Sequence, residues 1–505
     1  MSIPDICIII AIILYLIMTL YIGYRFSKDN SSTEDFYLGG RKMGPIVTAM
    51  SAEASDMSSW LLMGLPGVAY ASGICDAGWT AIGLAIGTWL NWFFVSRRLR
   101  VYSSNIGAIT VPDYFAKRFH DKHNIINAIA ALIIVIFFVP YTASGFAACG
   151  KLFNSLFGVN YMTAMIIAAI VIVAYTIMGG FKAVCTTDLI QSIVMSIALI
   201  TVVGFGVAAA GGFNAVMDNA KGLAGYFSMT AMHDAATNSA TSYGPITIIS
   251  TMAWGLGYFG VPHILVRFMS IDDEKKLVLS RRIASVWVVI AMGVAIFIGI
   301  VGLAMSNAGA IEKLDDGERI IMTIASLIST HGILAALVAG VILAGILAAT
   351  MSTADSQLLS AASGVTENIM KDCLHIDMDE KKSVLGARVT IIVIALISIF
   401  IAKDPNSSVF QIVSFAWAGF GGAFGAVVLL SLFWKRMNLA GALSGMLSGG
   451  ITVFVWKFAV RPLGGAFNIY ELLPAFLVSL FFIVVVSLLT KAPDESILKE
   501  FEQAK

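Results

Sequence analysis

The chain is poor in charged residues and in cysteine. Only 12% of its 505 residues are Asp, Glu, Lys or Arg, whereas soluble domains average about 25%. The formal net charge of +1 gives no reason to expect a nucleic-acid partner. The five cysteines are scattered, without the spacing of a zinc site or a disulfide framework. No nucleophile–base–acid set and no phosphate-binding loop is present, so the sequence does not predict an enzyme.

Apolar residues take the place of charge: 58% of the chain is hydrophobic, and the mean hydropathy is +0.87. A bilayer is crossed by about 20 consecutive apolar residues in a helix. Such runs predict an all-α polytopic membrane protein with about 13 spans. They lie near residues 5–24, 44–71, 77–96, 125–153, 161–181, 188–210, 246–268, 283–306, 333–366, 385–402, 409–433, 439–459 and 470–489.

Positive charges predict the orientation of these spans. Arg25 and Lys28 follow the first apolar run, and no Lys or Arg precedes it. Lys and Arg are concentrated in cytoplasmic loops of membrane proteins. Most of the 32 lysines and arginines fall on one side if the N-terminus is outside and the C-terminus inside. The tail from Lys491 is predicted to be a short, solvated cytoplasmic helix.

The second apolar run contains acids and helix breakers. Glu53 and Asp56 lie within it, and Gly64, Pro66 and Gly67 follow. A charge at the bilayer centre costs about 2.5–3.5 kcal/mol on insertion scales, so an acid at that depth indicates a functional site. We therefore expect a discontinuous helix whose free backbone and hydroxyl groups hold an ion or a solute.

A second interrupted span, over residues 254–263, contains three glycines and a proline. It comes five spans after the first, and an odd separation turns the two units opposite ways across the membrane. This indicates an inverted five-helix repeat. The predicted organisation is an extra N-terminal helix and inner loop over 1–40, repeats over 41–212 and 246–434, an outer loop over 213–245, and two further helices with a tail over 435–505.

Several long motifs resemble those of the sodium/solute symporter family. They occupy residues 51–67, 97–100, 112–115, 254–263, 349–353 and 416–421, and the match covers nearly the whole chain. The resemblance implies the LeuT-type inverted-repeat fold with one extra N-terminal span.

Ser352 and Thr353 are adjacent hydroxyls in the ninth span. Hydroxyl and carbonyl oxygens suit a dehydrated Na⁺, although such hydroxyls also bond back to the preceding helical turn. The family resemblance favours Na⁺ as the bound ion. It implies that the ligands are the carbonyls of Ala54, Met57 and Ala349 and the hydroxyls of Ser352 and Thr353.

The resemblance also gives Asp56 and Arg41 a role in ion coupling. Without it, Asp56 could cap a half-helix, and Arg41 could be an ordinary cytoplasmic anchor. Glu53 stands where family members known to us that carry proline have a small residue. Structural and functional interpretations of Glu53 both stay open.

A second cation site is a further hypothesis. Asp355 and Ser356 follow Ser352 by three and four residues and share its helix face. By resemblance, some relatives hold a second Na⁺ between this face and an acid matching Asp188. Asp355 could strengthen such a site or complete an internal salt bridge. The alternative for Asp188 is a solvated helix N-cap.

Trp254, Tyr258 and Pro262 are spaced four residues apart and would share one face of a helix. Aromatic stripes are usually core, but the neighbouring glycines favour a cavity wall, which a small solute requires. The resemblance implies a solute site lined by Ser58, Trp60, Gly64, Tyr141, Trp254, Tyr258 and Pro262.

Within the family, the match is greatest to bacterial members that carry proline. It implies Na⁺-coupled import of L-proline by alternating access in the inner (plasma) membrane, surrounded by lipid and with no obligatory protein partner. A symporter of the same kind for pantothenate, another amino acid or a sugar is the nearer alternative. A channel would need a continuous polar pore, and a sensor would need an appended signalling domain.

Overall fold

The structure is a computed structural model that describes residues 2–27, 32–405 and 408–504. Lys28, which the charge argument used, lies outside the described residues. The described helices are α1 (Ile3–Phe26), α2 (Thr33–Leu38), α3 (Pro45–Asp56), α4 (Leu65–Ser72), α5 (Ile74–Leu90), α6 (Ser96–Asn105), α7 (Val111–Arg118), α8 (Ile125–Phe157), α9 (Tyr161–Ala209), α10 (Phe213–Gly222) and α11 (Pro245–Met252).

The second half continues with α12 (Pro262–Ser270), α13 (Leu277–Asn307), α14 (Ile320–Ser329), α15 (Ile333–Ser363), α16 (Glu380–Ile401), α17 (Val409–Phe420), α18 (Ala426–Phe433), α19 (Leu439–Val455), α20 (Leu472–Leu489) and α21 (Glu495–Gln503). Strands β1 (Ala231–Asp234) and β2 (Ser239–Ser242) form one antiparallel hairpin. The hairpin and α10 lie in the connection that was predicted as an outer loop.

Within the described residues, nine helices are long and apolar enough to cross a membrane, or ten if a bent pair counts as one span. An all-helical polytopic membrane protein is therefore confirmed, but the structure does not give thirteen such helices. The second predicted span is split into helices of 12, 5 and 8 residues, each too short to cross alone. Two other predicted spans lie in the 49-residue α9, which is interrupted at Gly180 by a left-handed φ of 58°.

The core is built around α15, which is buried along most of its length and packs against α9, α1 and α8. Small residues on α15 let neighbouring backbones come close. A Cβ on Gly340 would lie 3.0 Å from the Cα of Ile8, and a Cβ on Gly345 would lie 2.9 Å from Ala198. The polar middle of α15 is thereby held deep among other helices.

The first interruption lies against this polar middle. Helix α3 ends at Asp56, and Met57 leaves the helical conformation with a ψ of 60°. The amide of Ser58 donates to the carbonyl of Asp56 at 2.8 Å, and the chain then resumes as a π-helical turn, Trp60–Gly64. A helix end leaves its last carbonyls without partners in the helix, so oxygen atoms are free at this depth.

The C-terminal tail is helical, as predicted, but the prediction that it is solvated is wrong. Ile497 and Phe501 of α21 are only 7% and 2% exposed. They lie four residues apart and therefore share one apolar helix face, which packs onto α6.

Candidate functional site

A group of hydroxyl and carbonyl oxygens lies where α3 breaks against α15. The Ser352 hydroxyl lies 2.7 Å from the Ala54 carbonyl oxygen and 3.1 Å from that of Ala349, and can donate to either. The Thr353 hydroxyl lies 3.2 Å from the same Ala349 oxygen. Met57 caps the end of α3. The Ser352 hydroxyl is thus within reach both of the preceding turn of α15 and of the broken helix, whereas the Thr353 hydroxyl bonds back to the preceding turn.

Two acids of α3 lie beside this oxygen cluster. The hydroxyl of Tyr258 donates to the Asp56 carboxylate, and the Tyr141 hydroxyl donates to the Asp56 carbonyl at 3.4 Å. Glu53 accepts from the indole N–H of Trp92 at 2.9 Å. Its second carboxylate oxygen has no hydrogen-bond partner within the described residues. Neither acid forms an ion pair there, so the two negative charges have no protein cation in contact.

A narrow cavity of about 10 Å³ lies on the other side of the break. This space is about that of one water molecule, whereas ligand pockets measure about 300–1,000 Å³, so a solute would have to separate the cavity walls. The ring of Trp254 lies 6.0 Å from that of Trp60, 5.2 Å from that of Tyr470 and 5.4 Å from that of Phe410. The cavity is lined by Asp56, Met57, Trp60, Leu84, Tyr141, Trp254, Val413 and Trp417.

Tyr258 and Ser58 lie at the edge of this cavity. The Tyr258 ring contacts the cavity residue Trp417 at 5.1 Å, and the Ser58 hydroxyl accepts from the amide of Trp60 at 3.2 Å. Residues Ala253–Phe259 form a 3₁₀ helix rather than an α-helix. The single α-helical face expected for the 254–262 stripe is therefore not formed, because a 3₁₀ helix has only three residues per turn.

Two other predicted solute residues lie in separate cavities. A Cβ on Gly64 would be 3.3 Å from Phe410, and both residues line a vestibule of about 1350 Å³. Pro262 lines a narrow cavity of about 20 Å³, together with Arg267 and Ser356. The structure thus places the predicted solute residues around three separate cavities rather than one pocket.

The vestibule is bounded by an ion-paired loop. Lys151 is nearly buried, and its ammonium donates to Glu318 at 2.8 Å. Glu318 also accepts from the Ser408 hydroxyl at 3.0 Å and from the Phe410 amide at 3.2 Å. Glu318 therefore fixes the N-terminus of α17. Phe410 lies in the first turn of that helix, and its ring lies between the vestibule and the solute cavity.

The predicted second cation site contains an arginine. A terminal nitrogen of Arg267 lies 3.2 Å from Asp188 and 2.5 Å from the Ser356 hydroxyl. Its Nε donates to Ser51 at 3.0 Å, and the Ser51 hydroxyl donates to Asp188 at 2.6 Å. Asp188 is fully buried within α9, so the interpretation as a solvated N-cap is wrong. The guanidinium occupies the space between two of the three predicted residues.

The third residue, Asp355, belongs to the same buried cluster but has no ion pair within the described residues. Its carboxylate accepts from the Tyr175 hydroxyl and, at 3.1 Å, from the Ser356 hydroxyl. The Tyr175 hydroxyl also lies 3.1 Å from the carbonyl of Met351. The acid is therefore surrounded by neutral hydroxyl groups, one of which also contacts Arg267.

Arg41 is not a solvated anchor. It donates to the carbonyl of Met269 at 2.9 Å and to the Ser103 hydroxyl at 3.3 Å, and it pairs with Glu34 at 3.3 Å. It also donates to the carbonyl of Ala108. The side chain thus joins the loop after α2 to the ends of α6 and α12.

Sequence reasoning missed Arg267, Tyr175 and Trp417. Arg267 lies within the predicted span 246–268. A charge inside a span indicates a functional site, so this signal was available. Trp417 lies in the motif 416–421, but that motif assigns it no role. Tyr175 carries no comparable signal, because aromatic residues are common in apolar spans.

The chain is similar to several known proteins along almost its whole length. The family model "Sodium:solute symporter family" matches residues 36–449. The chain is 43% identical to the sodium/proline symporter of Haemophilus influenzae, over 98% of this chain and 97% of that protein. It is 42% identical to the sodium/proline symporter of Escherichia coli K12, over 97% and 94%. It is 40% identical to that of Staphylococcus aureus, over 96% and 93%.

Two solved structures share the fold. A substrate-bound, outward-open structure of a Na⁺-coupled sialic acid symporter superposes with a TM-score of 0.79 at 18% identity, covering 97% of this chain and 99% of that one. Mhp1, a nucleobase-cation-symport-1 family transporter in a closed conformation, gives 0.57 at 14% identity, covering 94% and 99%. At these identities the likeness concerns the fold alone.

Proposed function

Because the chain belongs to the sodium:solute symporter family, we propose that it carries L-proline into the cell together with Na⁺. Relatives named sodium/proline symporters match it along almost their whole length. The site lies in the cell's inner membrane, and the protein is a transporter rather than an enzyme. Na⁺ and proline are both cargo.

One observation carries the proposal: the oxygen cluster and the aromatic cavity share one short segment of the broken helix. Ala54 lies on the side of Ser352, and Asp56 and Met57 line the cavity. An ion bound by the cluster would order residues 54–57 and so complete the cavity wall. By linkage, the solute would raise the affinity for the ion by the same factor.

The Na⁺ ligands in this proposal are the carbonyls of Ala54, Met57 and Ala349 and the hydroxyls of Ser352 and Thr353. All five are hard oxygen donors. Asp56 lies beside them and adds a negative charge that favours a cation without itself being a ligand.

Proline recognition rests on the aromatic walls. Its pyrrolidine ring packs against Trp60, Tyr141 and Trp254, and its ammonium gains cation–π attraction from these rings. Tyr258 positions Asp56 through the hydrogen bond to its carboxylate. Ser58, Gly64 and Pro262 border the route by which proline enters and leaves the cavity. Glu53 is assigned no role in this scheme.

We further propose thirteen spans, with the N-terminus outside, the C-terminus inside and an inverted five-helix repeat after one extra helix. Nine described helices are long enough by themselves, and the bent pair at 245–270 makes ten. Counting 45–72 and 74–95 as spans and dividing α9 at Gly180 brings the number to thirteen. The large vestibule lies on the side of residues 312–319, which is the outer side in this orientation. In the alternating-access cycle, the vestibule closes over Phe410. The protein then opens to the cytoplasm on the side of Arg41.

One Na⁺ per proline is the simplest stoichiometry, because Arg267 already supplies a positive charge between Asp188 and Ser356. The energy of one ion suffices. A tenfold Na⁺ gradient supplies about 1.4 kcal/mol, and a membrane potential of 100 mV adds about 2.3 kcal/mol. Together these support accumulation on the order of 500-fold.

The test is uptake of radiolabelled proline into proteoliposomes with an imposed Na⁺ or K⁺ gradient, with pantothenate, other amino acids and sugars as competitors. We expect uptake only with Na⁺ and competition only by proline. Trp254→Ala should raise the proline concentration for half-maximal uptake at least tenfold. It should raise the Na⁺ concentration for half-maximal uptake by a smaller factor. Trp89→Ala, a change at a tryptophan 45% exposed outside the cavity, is the matched control. Na⁺-dependent uptake of another solute in place of proline would overturn the substrate assignment.

A further inference from the structure

Two arginines at one end of the bundle carry buried N–H groups without acceptors. Arg118 of α7 is 0% exposed, and its Nε donates to the carbonyl of Ser431 at 3.0 Å. Its two terminal nitrogens are buried and have no hydrogen-bond partner within the described residues. The same holds for Nε and one terminal nitrogen of Arg98 in α6. A guanidinium has five N–H donors, so most of this capacity is unused.

The two side chains meet at one aromatic ring of the C-terminal helix. The guanidinium carbons of Arg98 and Arg118 lie 4.7 and 5.1 Å from the centre of the Phe501 ring. Arg118 also lies 5.4 Å from the ring centre of Tyr102, whose buried hydroxyl has no partner among the described residues. Aromatic faces attract the positive charge but accept the N–H groups poorly. Phe501 therefore covers a cluster of donors without satisfying it.

The helix that covers this cluster is acidic at its end. Glu502 lies near enough to Arg98 to act on its charge, and Glu500 bonds to His120 at 3.0 Å. Glu502 thus compensates part of the charge of Arg98, but no carboxylate takes the terminal nitrogens of Arg118 in the described residues. The unused donors of Arg118 are complementary to an anion.

We propose that Arg98, Arg118 and Tyr102 form a binding site for a phosphate group, which enters when α21 lifts Phe501 off the two guanidiniums. Arginine forks match the planar, bidentate geometry of phosphate oxygens. A tetrahedral anion between the two side chains would accept the unused N–H groups and relieve the repulsion between like charges. The site is distinct from the ion and solute sites and does not depend on which solute is carried.

Two sources of phosphate are compatible with this position. On one side, Arg98 stacks at 5.0 Å on Phe433, which is 43% exposed beside the exposed Phe94. An anionic phospholipid would place its headgroup at the arginines and its acyl chains along these rings. A polar cavity of about 700 Å³ lies beside Lys117 and Gln503. The carboxylates of Asp113, Asp121, Asp372 and Glu500 also line it and the two arginines do not, so a soluble phosphate would reach the arginines only after α21 moves.

The test uses the purified full-length protein in neutral phosphatidylcholine nanodiscs. Binding of phosphatidylglycerol is measured by native mass spectrometry, and inorganic phosphate is followed through the thermal unfolding midpoint. We expect phosphatidylglycerol, inorganic phosphate or both to bind. Arg118→Met should weaken that binding at least tenfold, and Phe501→Ala should strengthen it several-fold. Arg97→Met is the matched control, because Arg97 is the exposed neighbour of Arg98 in the same helix.

The outcomes separate the two sources. Loss of phosphatidylglycerol retention in Arg118→Met, but not in Arg97→Met, supports a lipid headgroup. Loss of a phosphate-induced shift in the midpoint supports a soluble anion. Tyr102→Phe removes a single hydroxyl donor and should weaken binding two- to threefold, which keeps the test decisive if Arg118→Met does not fold. Equal binding of both probes by wild type, Tyr102→Phe and Phe501→Ala would overturn the proposal.

Discussion

Asp56 and Asp188 are both buried acids in the polar middle of the protein, but their surroundings differ in one respect. Asp188 has the Arg267 guanidinium at 3.2 Å. Asp56 has the hydroxyl of Tyr258 and no ion pair within the described residues. A buried carboxylate without a compensating charge is costly. Asp188 thus has a cation supplied by the protein, whereas in the proposed function the cation near Asp56 is Na⁺ from solution.

The two acids also differ in where they lie among the helices. The cluster at Asp188 joins α3, α9, α12 and α15 through Ser51, Arg267 and Ser356. The acid at Asp56 lies instead at a helix break, next to the small aromatic cavity. A fixed ion pair suits a joint between helices, and an unpaired acid at a break suits a site that changes occupancy.

The largest effect should come from removing the fixed cation. Arg267→Met leaves Asp188 buried and unpaired, and breaking a buried ion pair costs about 3–5 kcal/mol. We expect a large fall in the thermal unfolding midpoint of the detergent-purified protein. The double change Arg267→Met with Asp188→Asn should recover much of the loss. A midpoint equal to that of wild type in the single variant would show that Arg267 does not compensate Asp188.

The next effect concerns the cation taken from solution. Ser352→Ala combined with Thr353→Ala removes two of the five proposed Na⁺ ligands. We expect the Na⁺ concentration for half-maximal proline uptake to rise at least tenfold, which corresponds to about 1.4 kcal/mol. Ser363→Ala, two to three turns further along the same helix, is the control. An unchanged Na⁺ dependence in a normally inserted double variant would remove the ion site from this position.

The smallest effect is expected at Asp355. If Arg267 is the only cation of its cluster, Asp355→Ser should keep the Na⁺ cooperativity and the charge moved per proline, because the acid is not an ion ligand. Reversal potentials of wild-type and variant proteoliposomes measure this ratio. A fall from two charges per proline to one in the variant would make Asp355 part of a second Na⁺ site and end the contrast between the two clusters.

The sequence was most informative where a residue type is out of place in a membrane span. Asp56, Glu53 and the Gly/Pro cluster predicted the helix break, since acids and breakers at that depth are costly unless they line a site. The same argument applies to Arg267, which lies within the predicted span 246–268. The predicted helical stripe of Trp254, Tyr258 and Pro262 failed because periodicity does not distinguish an α-helix from a short 3₁₀ segment.

The burial of the C-terminal tail was likewise not predicted from the sequence. Ile497, Leu498 and Phe501 are the large apolar residues of an otherwise polar stretch, which is too little to indicate burial by composition. Phe501 packs on the arginines of α6 and α7, which are about 400 residues away in the sequence.

The sequence by itself determined the membrane class, the place of the first helix break and the family, because each follows from composition, local pattern or motif. Only the tertiary structure decided that Arg267 lies between Asp188 and Ser356, that Tyr258 bonds Asp56, and that Phe501 covers Arg98 and Arg118. These contacts join residues that are 79 to 403 positions apart, and the packing of helices that fixes such pairs leaves no local trace in the chain.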